Sequence, residues 1–380
     1  MSNLPYLPFA RPFLDEAMIA AVADTLRSRW IASGPQVAAF EKALGGYLQG
    51  RPVRSLTSAT AAMQVALEML GVGRGDEVIT PAQGFFATAN VIARTGARVV
   101  FVDVDLATRN LDMAQAHAAV TPRTRVLLPV HYNAPLAPQA LSDFRSRHGV
   151  RVLEDAALAL GSRSGDRPVG ASGDLACFSF HPNKNLTTIE GGALVVNDAA
   201  EAAAVERLRF HGIVRLPDGT RDVPRPGAKY NLSDVSARLG LEQLRHLDAW
   251  CAKRERLAAL YIEGFRDEPL FGAARLPPWP NPGHSWNMLT VLLPLEEARI
   301  TREGFVRAMH AEGIGVGISY EAIHLASHFR GEGHREGEFP VAERIARETV
   351  SLPLFPEMEA SDVERVLDAV RRVVRSGAAR

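Results

Sequence analysis

The sequence predicts an α/β protein: a mostly parallel sheet flanked by helices, followed by a smaller C-terminal α+β part. Three observations lead there. Between about residues 60 and 155, short apolar strands alternate with helical periodicities, the spacing that parallel strands joined by crossover helices require. The 380 residues are enough for two domains and a large core. Apolar residues make up 47% and charged residues 23%, the balance of an ordinary globular protein.

The elements follow in order. Residues 61–70, AAMQVALEML, set Met63, Ala66, Leu67 and Leu70 on one helical face. GVGRGDE turns the chain into the strand EVITP. Its glycines look like part of a dinucleotide fingerprint, but they follow a helix and precede a strand, so they read as a helix cap and turn. FFATANVIARTG is helical, RVVFVDV is a strand ending in the acidic turn Asp103–Asp105, residues 112–119 form a helix, and TRVLLPVHY is a strand. A helix over 138–148 stops at Gly149 and leads into the strand VRVLED.

After Glu154 the pattern changes. DLACFSF and GGALVVND are strands separated by the polar stretch HPNKNLTTIEG. AAAVERLRF is helical, and a loop with Pro217, Pro224, Pro226 and Gly227 follows. One long helix is expected from Ser233 to about Ile262, with Ser233 and Asp234 as candidate N-caps. The domain change is placed along it, giving a large domain 1–250 and a small domain 251–380 that contains the Pro-rich PPWPNPGH at 277–284.

Several function classes drop out. The 43 basic and 43 acidic residues cancel, which removes the overall electrostatic case for nucleic acid or an anionic membrane as partner. No apolar run approaches the roughly 18 residues of a membrane helix. Prolines in MSNLPYLPFARPF argue against a signal peptide. Two cysteines cannot make a disulfide framework and read as free thiols of a cytoplasmic protein. His324 and His328 share metal-ligand spacing, but no suitable glutamate or cysteine accompanies them, so no metal is expected.

Four features carry chemistry. Lys184 sits between two apolar strands, with Ser179, His181 and Asn183 before it and Thr187, Thr188 and Glu190 after it. It is either a solvated surface group or an amine whose lost solvation lowers its pKa, as a Schiff-base lysine requires. Asp155 ends the strand VRVLED, where α/β sheets place their ligands. It is either a cap or structural ion pair, or the counter-ion of a protonated pyridine. Ser58-Ala59-Thr60 precedes a helix and serves as a cap, an anion cradle or both. Phe85 follows the strand EVITP and is core or a face for an aromatic ring. Together these are the requirements of pyridoxal phosphate (PLP).

The chain resembles the PLP-dependent nucleotide-sugar aminotransferases of the DegT type, within the fold type I aminotransferases. The segments that carry the resemblance span nearly the whole chain. They are SRWIASGPQVAAFE, TSATAAMQVAL, GDEVITPAQGFFATAN, VVFVDVDLATRNLD, TPRTRVLLPVHY, VLEDAALALGS, FSFHPNKNLTTIEGG, KYNLSDVSARLGLEQL, GIGVGISYEAIHL and FPVAERIARETVSLPLFP. The block around Lys184 is the most specific. The resemblance implies that Lys184 is catalytic and holds the cofactor covalently. It implies that Asp155 pairs with the pyridine nitrogen, that Ala59, Thr60 and Ser179 bind the phosphate, and that Phe85 stacks on the ring. Lys229 would reach the phosphate of a neighbouring subunit's cofactor, which implies a homodimer with active sites at the interface. Arg29, Trp30, His211, Asn231, Tyr320 and His324 are expected to neighbour the substrate.

The implied reaction moves an amino group from L-glutamate to a keto group of a sugar nucleotide, as in polysaccharide or natural-product sugar biosynthesis, or to a cyclitol ketone. Five departures from the family pattern stand out. Leu158 replaces Gln or His, Ile189 replaces a small residue, Arg29 replaces Gly, Ser319 replaces His, and NAPLAPQ lacks a Tyr-Gly pair. Two alternatives are a PLP-dependent sugar dehydratase, whose relatives lack the lysine, and a catalytically weakened ligand-binding or regulatory protein on the same fold.

Overall fold

The computed structural model describes residues 5–266 and 268–378. Two helices outside the alternation read from the sequence come first: α1 (Glu16–Arg27), capped by the Asp15 carboxylate, and α2 (Pro35–Tyr47). The alternating part then runs β1 (Val53–Leu56), α3 (Ala59–Met69), β2 (Glu77–Pro81), α4 (Phe86–Thr95), β3 (Arg98–Val102), α5 (Met113–Ala118), β4 (Thr124–Leu127), α6 (Pro138–His148) and β5 (Arg151–Asp155). Ser58 caps α3 by accepting from the Ala61 N–H, and the helix leaves through Gly71 at φ +72°, where a side chain would be strained. The GVGRG segment is therefore the cap and turn its context demands.

A short hairpin, β6 (Arg163–Ser164) and β7 (Arg167–Pro168), leads to β8 (Leu175–Ser179) and β9 (Gly192–Val195). Next come α7 (Ala199–Leu208) and a second hairpin, β10 (Val214–Arg215) and β11 (Arg221–Asp222). The single long helix expected from Ser233 is corrected to two, α8 (Asp234–Leu244) and α9 (Leu247–Arg266). The reason is packing. α8 turns Leu239, Gly240 and Gln243 inward and lies against α1 and α2. α9 buries Leu257, Tyr261 and Phe265 and lies against the C-terminal helix. One straight rod would not serve both contacts. The remainder is β12 (Leu289–Leu292), α10 (Arg302–Ala311), α11 (Ser327–Gly331), α12 (Pro340–Glu348), β13 (Thr349–Leu352) and α13 (Ala360–Ala378), with β12 and β13 antiparallel.

The main sheet has the order β1-β9-β8-β5-β4-β2-β3. Every pairing from β3 across to β8 is parallel; β9 runs against both its neighbours. Its strands are apolar on both faces because helices cover both, so Val78, Ile79, Leu153 and Leu194 are fully buried. A separate core gathers Leu257, Tyr261, Trp286, Phe305 and Val366, and Leu7 of the N-terminal arm joins it.

Candidate active site

Parallel strands deliver the residues that follow them to one sheet edge. Asp155 closes β5 there, opposite Cys177 of β8, and is 5% exposed. Its Oδ2 accepts the Thr88 hydroxyl at 2.8 Å and its Oδ1 accepts the Ala157 N–H at 3.1 Å. Burial raises the pKa of this carboxyl group; the two donors and the charge of Lys184 oppose that rise.

Lys184 lies on the loop from β8 to β9. That loop is closed at its base, where Ser179 pairs with Gly192. It is also held along its length. The Asn185 amide donates to the Leu160 and Ser285 carbonyls at 3.1 and 3.2 Å, and the Asn287 amide donates to the Asn183 carbonyl at 3.0 Å. Burial pushes the Lys184 ammonium down to about 8, against the pull of Asp155. Among the described residues, neither Lys184 nor Asp155 makes an ion pair within 4 Å. Lys184 therefore meets the condition for an activated amine.

This shift has a measurable sign. The ordinary lysine pKa is 10.5 and the folded value is about 8, so the unfolded chain holds the proton more tightly. The stability of the cofactor-free protein should rise as pH climbs through that window and be lost as pH falls through about 8. Denaturant titrations across the window should show a steeper rise for the native chain than for Lys184→Met.

The start of α3 stands beside this loop. Leu56 and Ser179 both pair with Gly192, so the turn into α3 and the end of β8 flank one residue. A Cβ on Gly192 would lie 2.3 Å from the Ala59 nitrogen and 2.3 Å from the Ser58 carbonyl carbon. Those are backbone atoms that cannot swing away. Gly192→Ala should therefore destabilise the fold by about 2 kcal/mol through overpacking, read as a shifted denaturation midpoint. Thr60 is exposed in the first turn of α3 and Ser179 is partly exposed, so both hydroxyls can face an anion there.

Phe85 is 58% exposed at the cap position of α4, which excludes the core reading. Its ring centroid is 5.7 Å from that of Tyr320, which in turn is 5.9 Å from that of Tyr132. The structure therefore brings Ala59, Thr60, Phe85, Asp155, Ser179, Lys184 and Tyr320 to one edge.

A second group lies on a neighbouring surface. Arg29 and Trp30 are exposed on the loop between α1 and α2. The Asn231 amide donates to Ser33 Oγ at 2.5 Å, which ties that loop to the segment after β11. Exposed Lys229 bonds to Asn231 and stands 4.8 Å from the Phe210 ring centroid, next to exposed His211. Ser33, Arg207, Phe210, Arg215, Lys229 and Asn231 line a cleft of about 640 Å³. The Thr57 N–H donates to the Tyr230 carbonyl at 2.7 Å, so this cleft borders the start of α3.

His324 does not join either group, and its expected place beside the substrate is corrected. The Ile323 N–H pairs with the Ala82 carbonyl at 2.7 Å and draws that turn inward. His324 is fully buried, bonds Glu343 at 3.1 Å and packs on Phe339, so it has no surface to offer a substrate. His328 stands apart on the exposed start of α11.

The departures have structural settings. Leu158 is 5% exposed in an apolar cluster with Val130, Tyr132 and Met288. Ser319 is buried, its Oγ 3.0 Å from that of Ser351. Ile189 is 56% exposed. Two residues of the site carried no separate signal in the sequence, Thr88 and Gly192.

The comparisons with known proteins agree on family and fold. A model of the DegT/DnrJ/EryC1/StrS aminotransferase family matches residues 12–371. Spr1654 of Streptococcus pneumoniae, provisionally assigned as a sugar aminotransferase, is 28% identical in its PMP form, with a TM-score of 0.90 over 98% of this chain and 99% of that chain. It has also been solved in a PLP form, 27% identical, with a TM-score of 0.89 and the same coverage. DesV of S. venezuelae, in complex with a ketimine intermediate, is 34% identical, with a TM-score of 0.88 over 98% and 99% of the two chains. DesI, solved in the presence of its TDP-sugar product, is 30% identical, with a TM-score of 0.89 over 100% and 95%.

Proposed function

The chain belongs to the DegT/DnrJ/EryC1/StrS aminotransferase family and is a PLP-dependent aminotransferase; on that premise we propose that it moves an amino group from L-glutamate to a keto group of a nucleotide-linked sugar. The observation that carries the reading is that Lys184 and Asp155 stand at one sheet edge, near enough for each to feel the other's charge. There the amine sits near pH 8 and the carboxylate has no ion-pair partner within 4 Å among the described residues.

The residues present fit the cofactor. Asp155 is a buried carboxylate with two neutral donors and a charge still to be met. Phe85 offers an uncovered aromatic face. The start of α3 offers free N–H groups beside two hydroxyls. When bound, PLP supplies an electron sink for the bond broken at the substrate carbon.

The chain's own residues do the rest. The Lys184 amine would attach the cofactor and, as a free base, would take the proton from the donor's Cα and deliver it to the cofactor's former aldehyde carbon. Asp155 would hold a proton on the ring nitrogen. Thr60, Ser179 and the Ala59 N–H would hold the phosphate, and Phe85 would lie against the ring. Arg29, Trp30, His211, Asn231 and Tyr320 border the substrate in this reading.

The nucleotide-linked acceptor is supported by the TDP-sugar product bound to DesI. It also accords with the cationic cleft beside Lys229. In the proposed homodimer, exposed Lys229 meets the phosphate of the partner's cofactor. A cytoplasmic setting accords with the free thiols of Cys177 and Cys251; no helix among the described residues is long and apolar enough to cross a membrane.

The test is a half-reaction screen. The pyridoxamine form is offered a panel of keto-sugar nucleotides and cyclitol ketones, and return of the yellow form is followed by absorbance. A sugar nucleotide is expected to restore it; restoration by cyclitol ketones alone overturns the acceptor assignment.

A further inference from the structure

We infer that Thr88 is a positioning residue that keeps Asp155 ionised and aimed at the cofactor's ring nitrogen, a role that rests on reading Asp155 as that nitrogen's partner. Thr88 is 1% exposed in the first turn of α4. A helical threonine can return its hydroxyl proton to the carbonyl four residues back, as Thr25 does to Ala21 at 3.1 Å. Thr88 instead gives its single proton to Asp155 Oδ2 at 2.8 Å.

That bond matters because of what surrounds the carboxylate. Its other oxygen takes the Ala157 N–H at 3.1 Å and has the neutral Cys177 Sγ at 4.0 Å. The other titratable neighbours, Lys184, His131 and Tyr320, act only from a distance. Burial favours the neutral acid, so short-range donors must hold the charge in place. Of those donors, which include the Cys177 S–H of β8, the Thr88 hydroxyl is the shortest contact. The first turn of α4 thus sets two things at once: the open face of Phe85 and the charge on Asp155.

Removing the hydroxyl should weaken only those ligands that use a ring nitrogen. The experiment titrates cofactor-free protein with pyridoxamine phosphate and with its 1-deaza analogue, in which a carbon replaces that nitrogen. Binding is read by equilibrium dialysis. Thr88→Val should bind pyridoxamine phosphate about tenfold more weakly, the scale of one charge-assisted hydrogen bond. It should bind the deaza analogue as the native chain does. Thr88→Ser should restore affinity to within about twofold. Unchanged affinity, or an equal loss for both ligands, overturns the inference.

If Thr88→Val misfolds by circular dichroism, the serine variant and Thr88→Ala decide in the same assay, with alanine weak and serine near native. Asp155→Asn separates the two readings. It should erase the native preference for the nitrogen-bearing ligand. If it does and Thr88→Val does not reduce that preference, the role of Thr88 alone fails. If Asp155→Asn keeps the preference, the reading of Asp155 fails.

Discussion

Replacement of Lys184 by alanine is expected to abolish turnover with every amino donor, a loss on the order of a million-fold, the scale on which removal of a nucleophile acts. In the proposed mechanism the lysine is needed twice, to hold the cofactor and to move the proton from the donor's Cα. The variant should still fold, since among the described residues the amine makes no ion pair whose loss would strand a partner. Steady-state assays check the rate. Borohydride reduction followed by peptide mapping checks the attachment point: the native chain should carry its adduct at position 184 and the variant none. Retained turnover, or an adduct elsewhere, would sink the assignment of Lys184.

Asp155→Asn has the second largest expected effect, about a thousandfold loss in the half-reaction with L-glutamate. The asparagine preserves shape and can still accept from Thr88, but it carries no charge to hold a proton on a ring nitrogen. The amine should respond as well. Asp155 raises the Lys184 pKa against burial, so its loss should carry that pKa below about 8. Single-turnover absorbance measures the rate, and pH-dependent amine modification of the cofactor-free protein measures the shift. A rate within tenfold of native would exclude Asp155 as the essential counter-charge.

These two residues were legible in the sequence because each sits at a boundary between an apolar strand and a polar segment. There, residue type and position limit the chemistry to few options. The alternation from Met63 to Asp155 was legible for the same reason: fully buried strands leave unmistakable apolar runs between caps such as Ser58 and stops such as Gly149. What was not legible depends on distant partners. Thr88 acquires meaning only from Asp155, 67 positions away, and Gly192 only from the backbone of Ser58 and Ala59. The break after Leu244 reflects two packing surfaces that a one-dimensional leucine repeat cannot separate. His324 was misplaced because a histidine in a polar segment looks accessible until the pairing of Ile323 with Ala82 turns it inward.

The shut neck of the Lys184 loop, where Ser179 meets Gly192, bears on how relatives of this chain can diversify. Insertions or deletions between those two positions should move the Lys184 amine away from Asp155, and with it the proposed cofactor attachment. Changes of acceptor preference are expected on peripheral stretches such as the Arg29–Ser33 bend and the β10–β11 ribbon. Libraries aimed at altered sugars should be concentrated there.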